Sequence, residues 1–304
     1  MIGEKFFYSL SFLSSSELNA CIRYSINEAF NKRTEITQTI KLFKKNKEDF
    51  FILLECEEKF FKKIFGSRSK LDKKALVDHF HYCLNLVEDF IVYSEIQNDK
   101  EAQLEILGRF YKKRGAKKEA ESINSKRIKS VNSEDISIES YFNLYKLYIN
   151  RFDILVERFE SETFENIEIA LNNLDKFYFL AKMHWSQELE VLNIVRRFDY
   201  DKRLLKEIKE TVINDKDLAE KTLFKIYLIT NGLYNGNFCK EGYYDFKALI
   251  LENLDQFEFN TKKQFLTDLS NYVSYLYAKS PVLEWLKESH DVLKLQIRNN
   301  TLII

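Results

Sequence analysis

The segment "HFHYC" brings His79, His81 and Cys83 into a stretch whose apolar periodicity predicts a helix. His79 and Cys83 stand four apart and project from one side of that helix, a spacing that can chelate zinc, while His81 points elsewhere. A zinc site takes three or four ligands, and the chain has no second cluster of histidine or cysteine. Two partly exposed histidines beside a buried thiol are therefore expected, with no metal. Phosphate loops of the Gly-x-x-x-x-Gly-Lys type, Gly-x-Gly-x-x-Gly turns, Gly-x-Ser-x-Gly elbows and His-Glu-x-x-His helices are all missing from the sequence. Gly232, Gly236 and Gly242 in "NGLYNGNFCKEG" could offer backbone donors to an anion. Lys240 is the one cation nearby, so a flexible connection between helices is expected. Acid pairs such as Glu157 with Glu160 sit among many charges and read as a wet helix face. No catalytic residue, no cofactor and no metal ligand follow from these motifs.

The Ser-His-Asp run at 289–291 is similar to the His-Asp pair of the all-helical HD phosphohydrolases. That resemblance implies a metal held by His290 and Asp291, by a first histidine at His79 or His81, and by a later aspartate. No aspartate follows Asp291, so the match breaks at a ligand. A metal-dependent hydrolase is a distant third reading, and an exposed helix start or surface turn is expected at this run.

Local charge is more informative. Arg109, Lys112, Lys113, Arg114, Lys117, Lys118, Lys126, Arg127 and Lys129 crowd one segment, opposed there by Glu119 and Glu121. Such a patch, with Phe110 and Tyr111 interleaved, suits the phosphates of RNA or DNA. It equally suits an acidic protein partner, or compensation by the acidic band of Asp153, Glu157, Glu160, Glu162, Glu165 and Glu168. Globally, 47 basic residues balance 47 acidic ones, which removes any whole-chain argument for nucleic acid or an anionic membrane.

These groups must be carried by helices. Pro281 is the one proline and there are seven glycines in 304 residues, too few for turn-rich β architectures. The 26 phenylalanines and 17 tyrosines recur at three- and four-residue spacings, as in "YFNLYKLYI", which marks buried helical stripes. Cys21, Cys56, Cys83 and Cys239 lie scattered, mostly in apolar helical stretches, and read as reduced thiols of a cytoplasmic protein. The opening "GEKFFYSLSFLSSSELNAC" imitates an export leader, but Glu17 and Asn19 interrupt it before Cys21. No apolar run reaches the roughly 18 residues of a membrane span. Polar caps at Ser14 with Glu17, Asn98 with Glu101, and Ser280 before Pro281 mark helix starts. Between such marks, helices are expected over 15–30, 47–65, 71–96, 100–114, 116–130, 134–159, 163–183, 185–199, 201–233 with a break near 214, 240–254, 261–279 and 281–298.

In "LEILGRFYKKRGAKKEAE", Leu104, Leu107 and Tyr111 share one face with Gly108 beside them, Gly115 turns the chain, and Ala120 and Ile123 share a face of the next helix. The order resembles the hairpin of a tetratricopeptide repeat (TPR) over about 20 residues. Asn124 and Arg127 depart from the family's aromatic and alanine, and no closing proline follows. The leading segment "SSSELNACIRYSINEAFNKRTEITQTIKLF" is similar to uncharacterised all-helical bacterial proteins carrying such repeats, which implies architecture alone. The resemblance implies an all-α superhelix, a TPR-like helical-hairpin solenoid, with a helical N-terminal module over 1–96 and repeats over 97–304, their continuation beyond 304 left open. It implies non-catalytic recognition of a protein or peptide on a concave face. RNA or DNA binding through the basic hairpin 109–129 is the alternative. The apolar end "LQIRNNTLII" suggests that the array continues or that the tail docks on another subunit. Gly108→Leu is expected to overpack the hairpin crossing and cost about 1–3 kcal/mol, read as a lowered melting temperature.

Overall fold

Gly3, at φ +80°, opens the first helix, Glu4–Ser11 (α1). A Cβ at this position would stand 2.8 Å from Phe80 Cγ, so only glycine adopts the turn and clears the ring. The computed structural model describes residues 3–46, 57–66, 70–131, 137–156, 161–196, 201–234 and 240–302. Among them are fifteen α-helices and no strand, an all-α fold. The contacts divide the chain into two units, Met1–Gln103 and Leu104–Ile304.

In the first unit α1 is followed by Ser15–Ile26 (α2), Thr34–Lys45 (α3), Glu57–Phe65 (α4) and Lys73–Asn98 (α5). The cap expected at Ser14 is present: its hydroxyl accepts the Glu17 N–H at 3.3 Å, and the Glu17 carboxylate accepts the Ser14 N–H at 2.7 Å. Hydrogen bonds from the Ser14 hydroxyl and from its backbone N–H hold the Glu17 carboxyl below its usual range. Helices α1, α2 and α3 all pack on α5, and α4 packs on α3. Phe6, Phe7, Leu10, Leu18, Ile40, Phe43, Phe60, Phe80 and Val87 fill the space between them. Phe7 meets Phe80 edge to face at 5.2 Å, a geometry favoured by the ring quadrupoles. The sequence reading omits α1 and α3. Residues 47–56, expected as the front of a longer helix, lie outside the described ones.

The next helix, Lys100–Lys113 (α6), starts on Asp99 and not on Asn98: the Asp99 carboxylate accepts the Ala102 N–H at 3.0 Å, while Asn98 still ends α5. Beyond it come Lys117–Val131 (α7), Ile138–Leu155 (α8), Ser161–Arg196 (α9), Leu205–Asn214 (α10), Lys216–Ala219 (α11), Thr222–Tyr234 (α12), Lys240–Glu252 (α13), Phe259–Lys279 (α14) and Leu283–Arg298 (α15). The helices expected over 163–183 and 185–199 are one helix, since nothing near residue 184 interrupts its backbone hydrogen bonding. The break expected near 214 is real, and Asp215 makes it by accepting the Leu218 N–H at 3.1 Å. Ser280 does not start a helix. It closes α14, and α15 begins at Leu283 after an uncapped Val282. The far end of α15 is wrapped by Asn300 at φ 54°, with the Thr301 N–H on the Gln296 carbonyl at 2.9 Å.

Contacts in the second unit run mostly between sequence neighbours. Helix α9 packs on α8 before it and on α12 beyond two shorter helices, and side chains also join α12 to α14 and α13 to α15. Leu180, Met183, Phe224, Tyr227, Phe246, Phe265, Leu269 and Tyr272 belong to one apolar cluster running from Ile138 to Val292. Polar groups buried with them are answered individually. Glu288 takes the Tyr243 hydroxyl at 2.7 Å and pairs with Lys247. The Tyr272 hydroxyl donates to the Thr230 carbonyl at 3.0 Å.

Among the described residues Asp268 on α14 has no cation beside it. Its described partner is the Gln187 amide of α9 at 3.1 Å, and it is 4% exposed. Burial, with Glu188 nearby, raises its carboxyl well above the usual range despite the Gln187 donor. A carboxyl whose pKa is higher folded than unfolded binds more protons folded, so its stability contribution is complete below the unfolded pKa and declines as pH rises toward the folded one. Every tenfold difference in proton affinity between the two states is worth about 1.4 kcal/mol. Asp268→Asn should therefore gain stability relative to the parent as pH rises from about 4 toward neutrality, measured as urea midpoints across that window. A difference independent of pH would show the carboxyl ionises freely.

Candidate functional site

Helices α6 and α7 form the hairpin anticipated from the sequence. The Tyr111 carbonyl accepts the Ala116 N–H at 3.1 Å and the Lys112 carbonyl accepts the Gly115 N–H at 3.1 Å, with Gly115 at φ +71°. That double bond pattern is the Schellman ending, which places its last free residue in the left-handed region. At the crossing, a Cβ on Gly108 would stand 3.3 Å from Ile123 Cγ2, a tight contact that the Ile123 side chain would have to relieve by a few tenths of an ångström. Tyr111 packs on Ala120, Ile154 and Leu155, linking the hairpin to α8. Leu107, expected on the buried face, is 38% exposed, and no residue of α6 is fully buried. The apolar side of α6 meets α7 at the Gly108 crossing, and Leu107 instead edges a shallow depression with Lys118 and Ser122.

The nine basic side chains fall into two groups. Lys112 reaches α8, donating to Asn150 Oδ1 at 2.8 Å and pairing with Asp153 at 2.9 Å. Arg127 pairs with Glu105 at 3.3 Å, and Arg109 lies 4.0 Å from the same carboxylate. The Arg114 guanidinium lies 3.7 Å over the Phe110 ring, a cation–π contact within its own hairpin. Lys113, Lys117, Lys118, Lys126 and Lys129 make up the second group, all of them exposed. Of the acidic band, Asp153 meets Lys112, Glu165 and Glu168 are exposed, and Glu157, Glu160 and the side chain of Glu162 lie outside the described residues.

Between α6, α7 and α8 is a groove of roughly 190 Å³ whose walls include Arg109, Lys112, Asn124, Asn143, Lys146 and Asn150. Its amides are held in one order. Lys112 donates to Asn150 Oδ1, Asn150 Nδ2 donates to Asn124 Oδ1 at 3.0 Å, and Asn124 Nδ2 donates to the Leu147 carbonyl at 2.9 Å. Asn124 is 1% exposed and faces a neighbouring helix's polar groups and not an apolar pocket. Asn143 and Asn150 stand seven apart, on one side of α8. Sequence reasoning missed the groove, because its polar walls come from three helices whose pairing no local pattern reveals.

The other candidates do not assemble. His79 is buried and not partly exposed as expected, with Nε2 2.8 Å from Thr39 Oγ1 and 3.4 Å from Cys83 Sγ. Thr39 Oγ1 also lies within hydrogen-bond distance of the Glu35 carbonyl, at 2.9 Å. Burial pushes the imidazole down to about 4, so the ring is a poor acceptor for the thiol proton. His81 is exposed beside Asn85. His290 and Asp291 are exposed in the middle of α15, not at a turn. Gly232 and Gly242 lie within α12 and α13, where helix propagation overrides glycine's freedom, and Gly236 is outside the described residues. Cys21 and Cys83 are buried free thiols, while Cys56 and Cys239 are outside the described residues. Among the described residues no group of three or more His, Cys, Asp or Glu could hold a metal ion, and no helix is long and apolar enough to cross a membrane.

Comparison with protein-family models, with curated proteins and with solved structures finds no match for this chain. The geometry of the groove is therefore the basis for its reading. Asn124→Leu, which leaves buried amide partners unanswered, is expected to cost about 1–3 kcal/mol. Lys112→Met, at the exposed end of the same relay, is expected to cost less than about 1 kcal/mol. Denaturant titrations of both variants check this contrast, and equal losses would show that the relay acts as one structural unit.

Proposed function

We propose that the chain is a non-catalytic scaffold whose helix pairs stack in the TPR-like manner and bind a protein or peptide segment in the groove of α6, α7 and α8. The observation that carries this reading is the row of pre-oriented amides and cations along the groove. Asn143, together with the one amide hydrogen and the one carbonyl lone pair that Asn150 keeps beyond its bonds to Asn124 and Lys112, can meet an extended backbone, and Lys146, with Arg109 beside Glu105, suits a segment bearing carboxylates. Pre-orientation matters because a side chain already held by neighbours loses little freedom on binding. Helix-to-neighbour packing through the second unit supports an array of hairpins. Free thiols at Cys21 and Cys83 are in keeping with a cytoplasmic setting.

The competing nucleic-acid reading draws on the exposed lysines of the hairpin, but Lys112 and Arg127 are already engaged with Asp153 and Glu105. Affinity capture with crosslinking from the native cell separates the two. A protein partner whose crosslinks fall on Lys112, Lys117 and Lys146, and whose capture is reduced about tenfold or more by Asn150→Ala with Lys146→Glu, is the expected result. Capture of RNA that falls steeply with salt and survives those changes would favour the alternative.

A further inference from the structure

Helix α9 carries two oily stripes. One, with Ala170, Leu180 and Met183, is buried in the second unit. The other consists of Phe164, Leu171, Tyr178, Trp185 and Leu192, which are 62%, 52%, 40%, 64% and 44% exposed. These five positions recur every seven residues without a miss. A heptad repeat of large apolar side chains keeps one seam of a helix facing a partner helix along its length. At 1.5 Å per residue the seam is about 42 Å long, longer than the scattered apolar residues that monomers ordinarily leave in water.

The second position of the seam, four residues after each of the first four, reads Glu168, Asp175, Lys182 and Leu189. Asp175 and Lys182 have no ion-pair partner among the described residues, and Glu168 and Asp175 are exposed. This order distinguishes the ways a second helix can lie on the seam. A parallel copy in register would set Asp175 against Asp175 and Lys182 against Lys182. An antiparallel copy, with its two-fold axis beside Tyr178, sets Asp175 of each against Lys182 of the other and brings Leu171 opposite Trp185. The charge pattern is self-complementary in that orientation, as a two-fold interface requires.

We infer that the chain pairs with a second copy of itself through an antiparallel contact of α9 along Phe164, Leu171, Tyr178, Trp185 and Leu192, registered by Asp175 with Lys182. This surface is separate from the groove of α6, α7 and α8, and the inference does not rest on its proposed use.

Sedimentation velocity and light scattering of the full chain test it. The parent protein is expected to move from monomer to dimer as concentration rises, and Trp185→Glu is expected to stay monomeric with unchanged helical circular dichroism, since Trp185 is exposed. Asp175→Lys should weaken the dimer about tenfold, because symmetry turns two attractive pairs into two repulsive ones. Asp175→Lys combined with Lys182→Asp should restore it to within about threefold of the parent. Carbodiimide crosslinking of mixed light and heavy isotope chains should join Asp175 of one copy to Lys182 of another. A parent that stays monomeric at every concentration overturns the inference, and so does a dimer indifferent to Trp185→Glu. A dimer that the charge swap fails to restore overturns the antiparallel register.

Discussion

The fold of the second unit depends on the burial of one side of α9. That helix runs for 36 residues, and Leu180 and Met183 reach the cluster that also holds Phe224, Tyr227, Phe265 and Leu269. Each large side chain removed from water contributes about 1.5–3 kcal/mol, and a helix that long with no apolar cover would not persist alone. Neighbouring helices are arranged by what that surface needs. Helix α8 lies against it, with Phe142 and Phe177 at 4.8 Å. Helix α12 meets it across α10 and α11, fixed by the Asn231 amide donating to the Met183 carbonyl at 3.1 Å.

Polar groups inside such packing act as registers. A buried amide has one arrangement that satisfies it, whereas an apolar contact tolerates sliding. Asn124 locks α7 to α8, Gln187 ties α9 to Asp268 of α14, and Gln296 of α15 donates to the Leu266 carbonyl at 3.3 Å. Aromatic and aliphatic bulk supplies the cohesion, and the amides select which turn of one helix meets which turn of the next. The same division explains the basic hairpin. Gly108 and Ile123 set how close its helices come, while Lys112 and Asn150 set how it sits on α8.

Much of the helical content is legible in the sequence, because caps and stripes are local. Ser14 with Glu17 and Gly115 act as their types predict. The omitted α3 shows where local reading fails. Ile36, Ile40 and Phe43 have helical spacing and are buried, but Thr34, Thr37 and Thr39 lower the propensity around them. Thr37 is satisfied by the Ser25 carbonyl at 2.9 Å, a partner only the folded chain provides. In α9 the second stripe blurs the amphipathic signal, so that local periodicity divides one helix into two. The heptad itself is present in the sequence, and a test for a period of seven finds it. Groove partners such as Lys112 with Asp153 lie on helices whose approach is set by packing, so spacing along the chain carries no trace of them.

The His79 and Cys83 pair has an outcome opposite to what its residue types suggest. A thiol beside an imidazole is ordinarily an activated nucleophile, because the ring takes its proton. Here burial holds the imidazole down to about 4 and lifts the thiol far above its ordinary range. Any electrophile must wait for the surrounding helices to part, so the rate at which this sulfur reacts is governed by the breathing of the first unit. Cys83 is thus a clock for local opening built into the core.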